Sequence, residues 1–331
     1  MMNVEIITGS RLHFGLICGT PQTGWRFGGV GVMLRQPSWR ITMHKSWTSV
    51  DQISASSETT DRVAEFLQKI RMVLPLPAVE VSVKSEVPFH AGLGGGTQLG
   101  LAIAAAAKLV SHQRDIHNPF ELAELAQRAE RSAIGTVGFR DGGFLIDRGL
   151  PDTPSETRNV NRIVVPDAWR FVLVRPMSAQ GLCGDQERSF FNQRAIMSES
   201  LVESLVRQVE DCLVPSIQNE KFESFSVSLE DYGDAVGRFY AAEQGDIFAH
   251  PGVRKLVAML RAAGIRGAAQ SSWGPGISIP ASSLEHAQSI VDRIPPELDG
   301  TQLRVDIAEP LNTGASLHSE SPEMSDGHRL V

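Results

Sequence analysis

Residues 87–100 read Val-Pro-Phe-His-Ala-Gly-Leu-Gly-Gly-Gly-Thr-Gln-Leu-Gly and run directly into the alanine-rich stretch Leu101 to Lys108. Gly92, Gly94, Gly95 and Gly96 carry no Cβ, so the backbone there can turn sharply and bring its N–H groups close to an anion. A helix starting next to them adds unpaired N–H groups and the positive end of its dipole. The order of parts supports a phosphate loop: Val79 to Val83 alternates as a strand does, Pro88 breaks it, the glycines follow, and a small-residue helix begins. The same glycines also suit a tight turn or close packing. No lysine lies between Val87 and Ala107 and no Gly-Lys-Ser/Thr ending is present, so this is not a Walker A loop.

At 331 residues and 42% hydrophobic content the chain has material for two packed domains. A net charge of −7 argues against a broad nucleic-acid footprint, while a few focused arginines still suffice for one anionic small molecule. Cys18, Cys183 and Cys212 are odd in number and far apart, and read as buried thiols in a reducing compartment. The longest apolar run, Leu99–Val110, is too short to cross a bilayer and no secretory signal is evident, so a cytoplasmic protein with no membrane partner is expected. His112 and His117 lack the neighbours of a zinc site.

Short apolar runs at Glu5–Ile7, Arg11–Ile17, Val30–Leu34 and Trp39–Met43 predict strands. Val63, Phe66, Leu67 and Ile70 form the stripe of a helix over Asp61–Leu74. Asn118 as cap, Pro119, Glu121 and the spacing of Leu122, Leu125, Ala126 and Ala129 predict a helix ending near Gly135. Leu150–Asn161 reads as a linker, and strands at Ile163–Val165 and Phe171–Val174 follow it. Helices are expected over Glu199–Leu213, Phe222–Glu243, Val253–Ala263 and Leu284–Ile294, with strands at Ile277–Ile279 and Gln302–Ile307. The expected organisation is α+β, with domains 1–160 and 161–315 and a disordered tail, 316–331.

The glycine loop resembles the second motif of the GHMP small-molecule kinases, Pro-x-x-x-Gly-Leu-Gly-Ser-Ser-Ala: Pro88, Gly92, Leu93 and Gly94 match, while Gly95, Gly96 and Thr97 replace the two serines and the alanine. Ser10-Arg11-Leu12-His13-Phe14-Gly15-Leu16, Trp25–Gly31, Pro88–Leu99 and Gly267–Pro275 are together similar to the β-ribofuranosylaminobenzene 5′-phosphate (β-RFAP) synthase branch of that superfamily. The resemblance implies an N-terminal half like ribosomal protein S5 domain 2 and a ferredoxin-like C-terminal half. It also implies a transferase reaction in tetrahydromethanopterin biosynthesis and C1 metabolism. In it 4-aminobenzoate, or 4-hydroxybenzoate, displaces pyrophosphate from 5-phosphoribosyl 1-pyrophosphate and loses CO₂. An ATP-dependent small-molecule kinase and a non-catalytic phosphometabolite-binding protein are the alternatives.

For that chemistry Gly92, Gly94, Gly95, Gly96, Thr97 and Gln98 are expected around pyrophosphate, with Mg²⁺ assisting. No PLP is expected, and ATP only if the kinase alternative holds. Arg11 and Arg26 are candidate forks for the aromatic carboxylate, and Phe14 and Phe27 candidate walls for the ring or plain core. By analogy with the kinases, Asp141, beside Arg140, is a candidate for metal or for steadying the developing cation, together with Thr97; it also reads as a turn aspartate. His13 and His90 have the chemistry for proton transfer or phosphate binding, or are structural. Gln270, Ser271 and Ser272 offer donors to ribose or phosphate, and Asp185, Glu187 and Arg188 a polar lid. The partners expected are small molecules, and a homodimer is compatible with the apolar helices after Glu199.

Overall fold

A computed structural model describes residues 2–113, 115–151, 158–177, 196–320 and 328–329. The chain begins with two long strands, β1 (Asn3–Cys18) and β2 (Arg26–Lys45), and a short β3 (Gln52–Ser54). Next come α1 (Ser57–Arg71), β4 (Val79–Ser85), α2 (Gly95–Val110), α3 (Pro119–Leu125), α4 (Ile134–Asp141), β5 (Phe144–Asp147) and β6 (Val160–Ile163). The second part holds β7 (Arg170–Pro176), α5 (Glu199–Arg207), a π-helical turn (Gln208–Leu213), α6 (Val214–Gln218), α7 (Phe222–Gln244) and α8 (Pro251–Ala262). It continues with β8 (Ala269–Gln270), β9 (Ile277–Ala281), α9 (Leu284–Val291), β10 (Glu297–Leu298), β11 (Thr301–Ala308), β12 (Ser316–Glu320) and β13 (His328–Arg329).

Two sheets organise this α+β fold. The first has the order β13-β12-β1-β2-β4-β3, with β5 pairing β2 and β6 pairing β5; the second is β10-β11-β7-β9-β8. β1 and β2 pair antiparallel from Asn3↔His44 to Cys18↔Arg26, with a register shift between His13 and Leu16. A bulge of this kind re-aims side chains locally, and here it falls at His13 to Leu16, where Gly15 takes φ 112°. β3 runs parallel to β4, which requires a crossover, and α1 supplies it. The predicted stripe Val63, Phe66, Leu67 and Ile70 is buried, and Ser56 caps α1 by accepting from Thr59 N. α2 packs on β1 and β2; its run of alanines is buried because small side chains let helix and sheet approach closely. The second sheet carries its own core, in which Val172 and Val174 meet Leu256, Leu260, Ile279 and Ile290.

Three expectations change. The helix capped by Asn118 ends at Leu125, and Gln127 and Ala129 adopt left-handed backbone (φ 51° and 67°), so residues that look helical by spacing form a turn instead. Asp141, which also reads as a turn aspartate, instead ends α4, and the chain bends only at Gly142 and Gly143. The tail is also corrected for part of its length: Ser316–Glu320 pairs with β1 from Ile7↔Ser316 to Asn3↔Glu320, and His328–Arg329 pairs with β12. The free edge of β1 offers backbone groups that need partners, and this segment satisfies them with Leu317 buried. The N-terminal sheet is thus completed by β6 and β12, strands that reach or lie beyond residue 160.

Candidate functional site

The bulge in β1, the glycine loop and the Gly267–Gly276 loop meet at one place. Arg11 N donates to Leu93 O (2.9 Å), His13 N to Ser271 Oγ (3.0 Å), Ser271 Oγ to Gly92 O (2.5 Å) and Ser272 N to His13 O (2.7 Å). Arg11 Nη1 adds a bond to Ser272 Oγ at 3.0 Å. This close approach explains two glycines. A Cβ on Gly92 (φ +75°) would sit 2.4 Å from Ser271 O, and one on Gly94 (φ +65°), the N-cap of α2, 2.5 Å from Arg11 Cγ. Gly95 is closed in by Val87, and its carbonyl accepts from Trp39 Nε1 at 2.9 Å. Gly96 alone of the four looks toward Arg128, 3.7 Å from its would-be Cβ.

Beside this junction lies a cavity of about 410 Å³. β1 contributes Arg11, His13 and Phe14, α2 contributes Thr97, and α7 contributes Val236, Tyr240 and Gln244. Gln270, Ser272 and Trp273 come from the second loop, Lys69 from α1, and Gln127 to Ser132 from the turn between α3 and α4. Arg11, Lys69, Arg128 and Arg131 face one carboxylate, Glu130, among the described lining residues. A protein of net charge −7 therefore concentrates positive charge here, next to the N-terminus of α2, which no described side chain caps. The other wall is aromatic: Tyr240 and Trp273 pack edge to face at 4.8 Å, with Phe14 nearby.

The buried groups have fixed protonation. Burial, reinforced by the positive charges of Arg11 and Arg158, holds His13 well below the ordinary histidine range, so its ring is neutral. Its Nδ1 receives Gly15 N–H at 3.1 Å, which puts the ring proton on Nε2, and Nε2 lies 2.9 Å from Ser132 Oγ. Burial raises Tyr240, whose hydroxyl donates to Leu16 O at 3.1 Å. The Cys18 thiol, 3.2 Å from that hydroxyl, is pushed up to about 11 by the same desolvation and is an inert buried thiol. Cys212 is half-buried, and Cys183 lies outside the described residues.

Behind the turn, Asp147 is fully buried and paired with Arg158 at 2.7 Å. It also accepts from Ala133 N (2.7 Å) and Gly149 N (3.0 Å), while Arg158 Nη2 donates to Arg131 O. This pair clamps the Arg131–Ala133 segment to the sheet.

Residues 58–144 match the GHMP kinases N terminal domain. The chain is 27% identical over 298 residues to the β-ribofuranosylphenol 5′-phosphate synthase of Methanothermobacter thermautotrophicus, covering 83% of this chain and 88% of that one. The protein of the same name from Methanocaldococcus jannaschii is 27% identical over 70% of this chain and 75% of that one. Mevalonate diphosphate decarboxylase from Enterococcus faecalis superposes with TM-score 0.64 at 18% identity, over 97% of this chain and 100% of that one. Homoserine kinase from Cytophaga hutchinsonii does so with TM-score 0.63 at 15% identity, over 95% and 97%. The chain shares the fold of these GHMP-type proteins, and its residues 58–144 carry the match to their N-terminal domain.

Within this GHMP fold the residues singled out by sequence are divided. Arg11, His13, Phe14, Thr97, Gln270 and Ser272 line the cavity, and Ser271 stands just behind it, joining two backbones. Gln98 is fully buried and bridges Thr8 (2.6 Å) and Gly135 O (2.7 Å), so it is a strut and not a phosphate ligand. Asp141 and Arg140 lie on a different cavity, of about 590 Å³, where they form a two-toothed ion pair at 2.6 Å; Thr97 and Asp141 therefore do not share an ion. The reason is that α4 continues to Asp141 and carries it away from the β1 bulge. Arg26 starts β2, where its carbonyl accepts from Leu150 N, and Phe27 packs on the core; neither is part of the cavity wall. His90 turns to α1, 2.9 Å from Arg62 and 3.8 Å from Glu58. Asp185, Glu187 and Arg188 fall outside the described residues.

Sequence reading missed Arg128, Glu130, Arg131 and Ser132, because the period of the preceding helix runs on through Ala129. It missed Asp147 and Arg158 as well; the one signal for them was a carboxylate ending the apolar run Phe144-Leu145-Ile146. Among the described residues no group of three His, Cys, Asp or Glu side chains is placed to hold a metal, and no helix is long and apolar enough to cross a membrane.

Proposed function

We propose that this chain is a β-RFAP-type synthase, a decarboxylating phosphoribosyl transferase of tetrahydromethanopterin biosynthesis. Pyrophosphate leaves C1′ of 5-phosphoribosyl 1-pyrophosphate, and the ring carbon bearing the carboxylate of a 4-substituted benzoate bonds to C1′. The bond to the carboxylate then breaks, CO₂ departs, and its electron pair restores the aromatic ring. The substituent para to the attacking carbon, hydroxyl or amine, supports the positive charge that the ring carries in between. The relatives are named for the phenol, which favours 4-hydroxybenzoate as the acid.

The observation that carries this reading is the pairing of four cations with an aromatic wall in one cavity. Arg128, Arg131 and Lys69, with the N-terminus of α2, are suited to pyrophosphate, whose charge grows as it leaves. Tyr240, Trp273 and Phe14 are suited to hold a benzoate ring face-on to the sugar. Arg11, bonded to Ser272, fixes the junction between the two loops and leaves its charge beside the ring's carboxylate. His13 is not read as a general base, since it is held neutral with its proton directed at Ser132.

The donor set fits Mg²⁺ brought in on pyrophosphate, not a dedicated protein cage: among the described lining residues one carboxylate, Glu130, stands with the hydroxyls of Thr97, Ser132 and Ser272. When bound there the ion supplies charge neutralisation of the leaving group. One fold neighbour, at TM-score 0.65 and 18% identity, was solved in complex with MVAPP, AMPPCP and magnesium.

The test is to incubate the protein with Mg²⁺, phosphoribosyl pyrophosphate and carboxyl-labelled 4-hydroxybenzoate or 4-aminobenzoate. Equal release of CO₂ and pyrophosphate is expected. ATP hydrolysis with no CO₂ would replace this reading with a kinase, and neither activity would leave a binding protein.

A further inference from the structure

Ser132 stands on the cavity wall, and nothing in the motifs pointed to it. Its Oγ lies 2.9 Å from His13 Nε2 and receives Ile134 N–H at 3.2 Å. A serine oxygen has two acceptor sites and one proton. The sense of the first contact is settled by the far side of the ring, where Nδ1 accepts Gly15 N–H at 3.1 Å. The neutral ring therefore carries its hydrogen on Nε2 and donates it to Ser132. Protonating Nδ1 would set two N–H groups against each other, and burial beside Arg11 and Arg158 opposes that charge. With both lone pairs of Ser132 occupied, its own O–H is left to point into the cavity.

The position is rigid as well as polarised. The peptides on either side of Ser132 are held by the buried Asp147–Arg158 pair, through Arg158 to Arg131 O and through Ala133 N to Asp147 at 2.7 Å. The cost of organising this donor is therefore met during folding and not on binding. The turn that carries it also carries Arg128 and Arg131, so an anion drawn to those guanidiniums meets the serine proton.

We propose that Ser132 is a substrate-binding residue, a hydroxyl of fixed polarity that donates to a phosphate oxygen of the pyrophosphate group, with His13 as its positioning residue. This rests on the synthase reading. Because pyrophosphate gains charge as it leaves, the bond strengthens toward the transition state, so its loss lowers kcat as well as affinity.

The experiment measures Mg²⁺-pyrophosphate binding by calorimetry and turnover by CO₂ release, for wild type and five variants. Ser132→Ala is expected to weaken pyrophosphate binding about 10–100-fold and to lower kcat by a similar factor. Ser132→Cys keeps the shape with a weak donor and should behave alike. His13→Ala should match Ser132→Ala. The double variant should lose little more than either alone, since both remove one bond. His13→Gln, whose side-chain amide can still donate to Ser132, should recover most of the activity, which a purely structural histidine would not predict. Wild-type turnover with Ser132→Ala and Ser132→Cys both within about twofold of it in pyrophosphate affinity and kcat overturns the inference and leaves the synthase reading standing. A wild type that neither binds pyrophosphate nor releases CO₂ overturns both. Additive losses in the double variant overturn the role given to His13.

Discussion

Gly92→Ala tests the junction on which the cavity depends. At φ +75° an alanine loses roughly 1–2 kcal/mol relative to glycine through its Cβ alone. That Cβ would also lie 2.4 Å from Ser271 O, a backbone atom with no side-chain freedom to move away. Reaching van der Waals contact requires the two loops to part by roughly 1 Å. Such a parting removes the 2.5 Å bond from Ser271 to Gly92 O and strains the bond from His13 N to Ser271, at about 1 kcal/mol each. The expected loss is roughly 3–4 kcal/mol. A displacement of this size next to the reacting groups costs about 100-fold in kcat/KM.

Gly96→Ala is the matched control, with open space up to Arg128 and a helical position where alanine gains about 0.5–1 kcal/mol. Urea melts of both variants give the stabilities, and CO₂ release gives the activities. If Gly92→Ala is as stable as Gly96→Ala, the two loops do not approach as described and the glycines serve the ligand alone.

Breaking the buried pair by Asp147→Asn should cost about 3–5 kcal/mol in a urea melt, because Arg158 keeps its charge without a counterion; a loss under about 1 kcal/mol would mean that the pair does not clamp the Arg131–Ala133 segment. Stability should also fall with acid: His13 is held below its unfolded value of about 6.5, so the unfolded chain binds a proton that the folded one excludes. The contribution of this group is complete above pH ~6.5 and declines below it by up to about 1.4 kcal/mol per pH unit until the folded pKa is reached. Melts at several pH values should show the slope in wild type and a shallower one in His13→Gln; equal slopes would contradict the assignment. Arg128→Ala should weaken pyrophosphate binding about 10–100-fold in calorimetry, and an unchanged affinity would move the anion elsewhere. Asp141→Asn and Arg26→Ala should keep kcat/KM within about fivefold, since a partly exposed pair such as Arg140–Asp141 contributes little; a collapse in either would return that residue to the site.

The sequence by itself determined what depends on near neighbours. The stripe of α1, the Asn118 cap, the glycine loop before α2 and the motifs that carry the superfamily resemblance are all set within a few residues of chain, where periodicity and turn chemistry act. It also marked Arg11, His13, Thr97, Gln270 and Ser272, which do line the cavity. Tertiary structure alone decided which glycines serve packing and which one looks toward Arg128. That depends on Ser271 and Arg11, and Ser271 meets the glycine loop across 179 positions of chain. It likewise decided that Ser132 meets His13 across 119 positions, that Asp141 goes to another cavity, and that residues 316–320 close the edge of β1. Those outcomes follow from satisfying buried polar groups and filling space between distant segments, and such requirements exist only once the chain has brought the segments together.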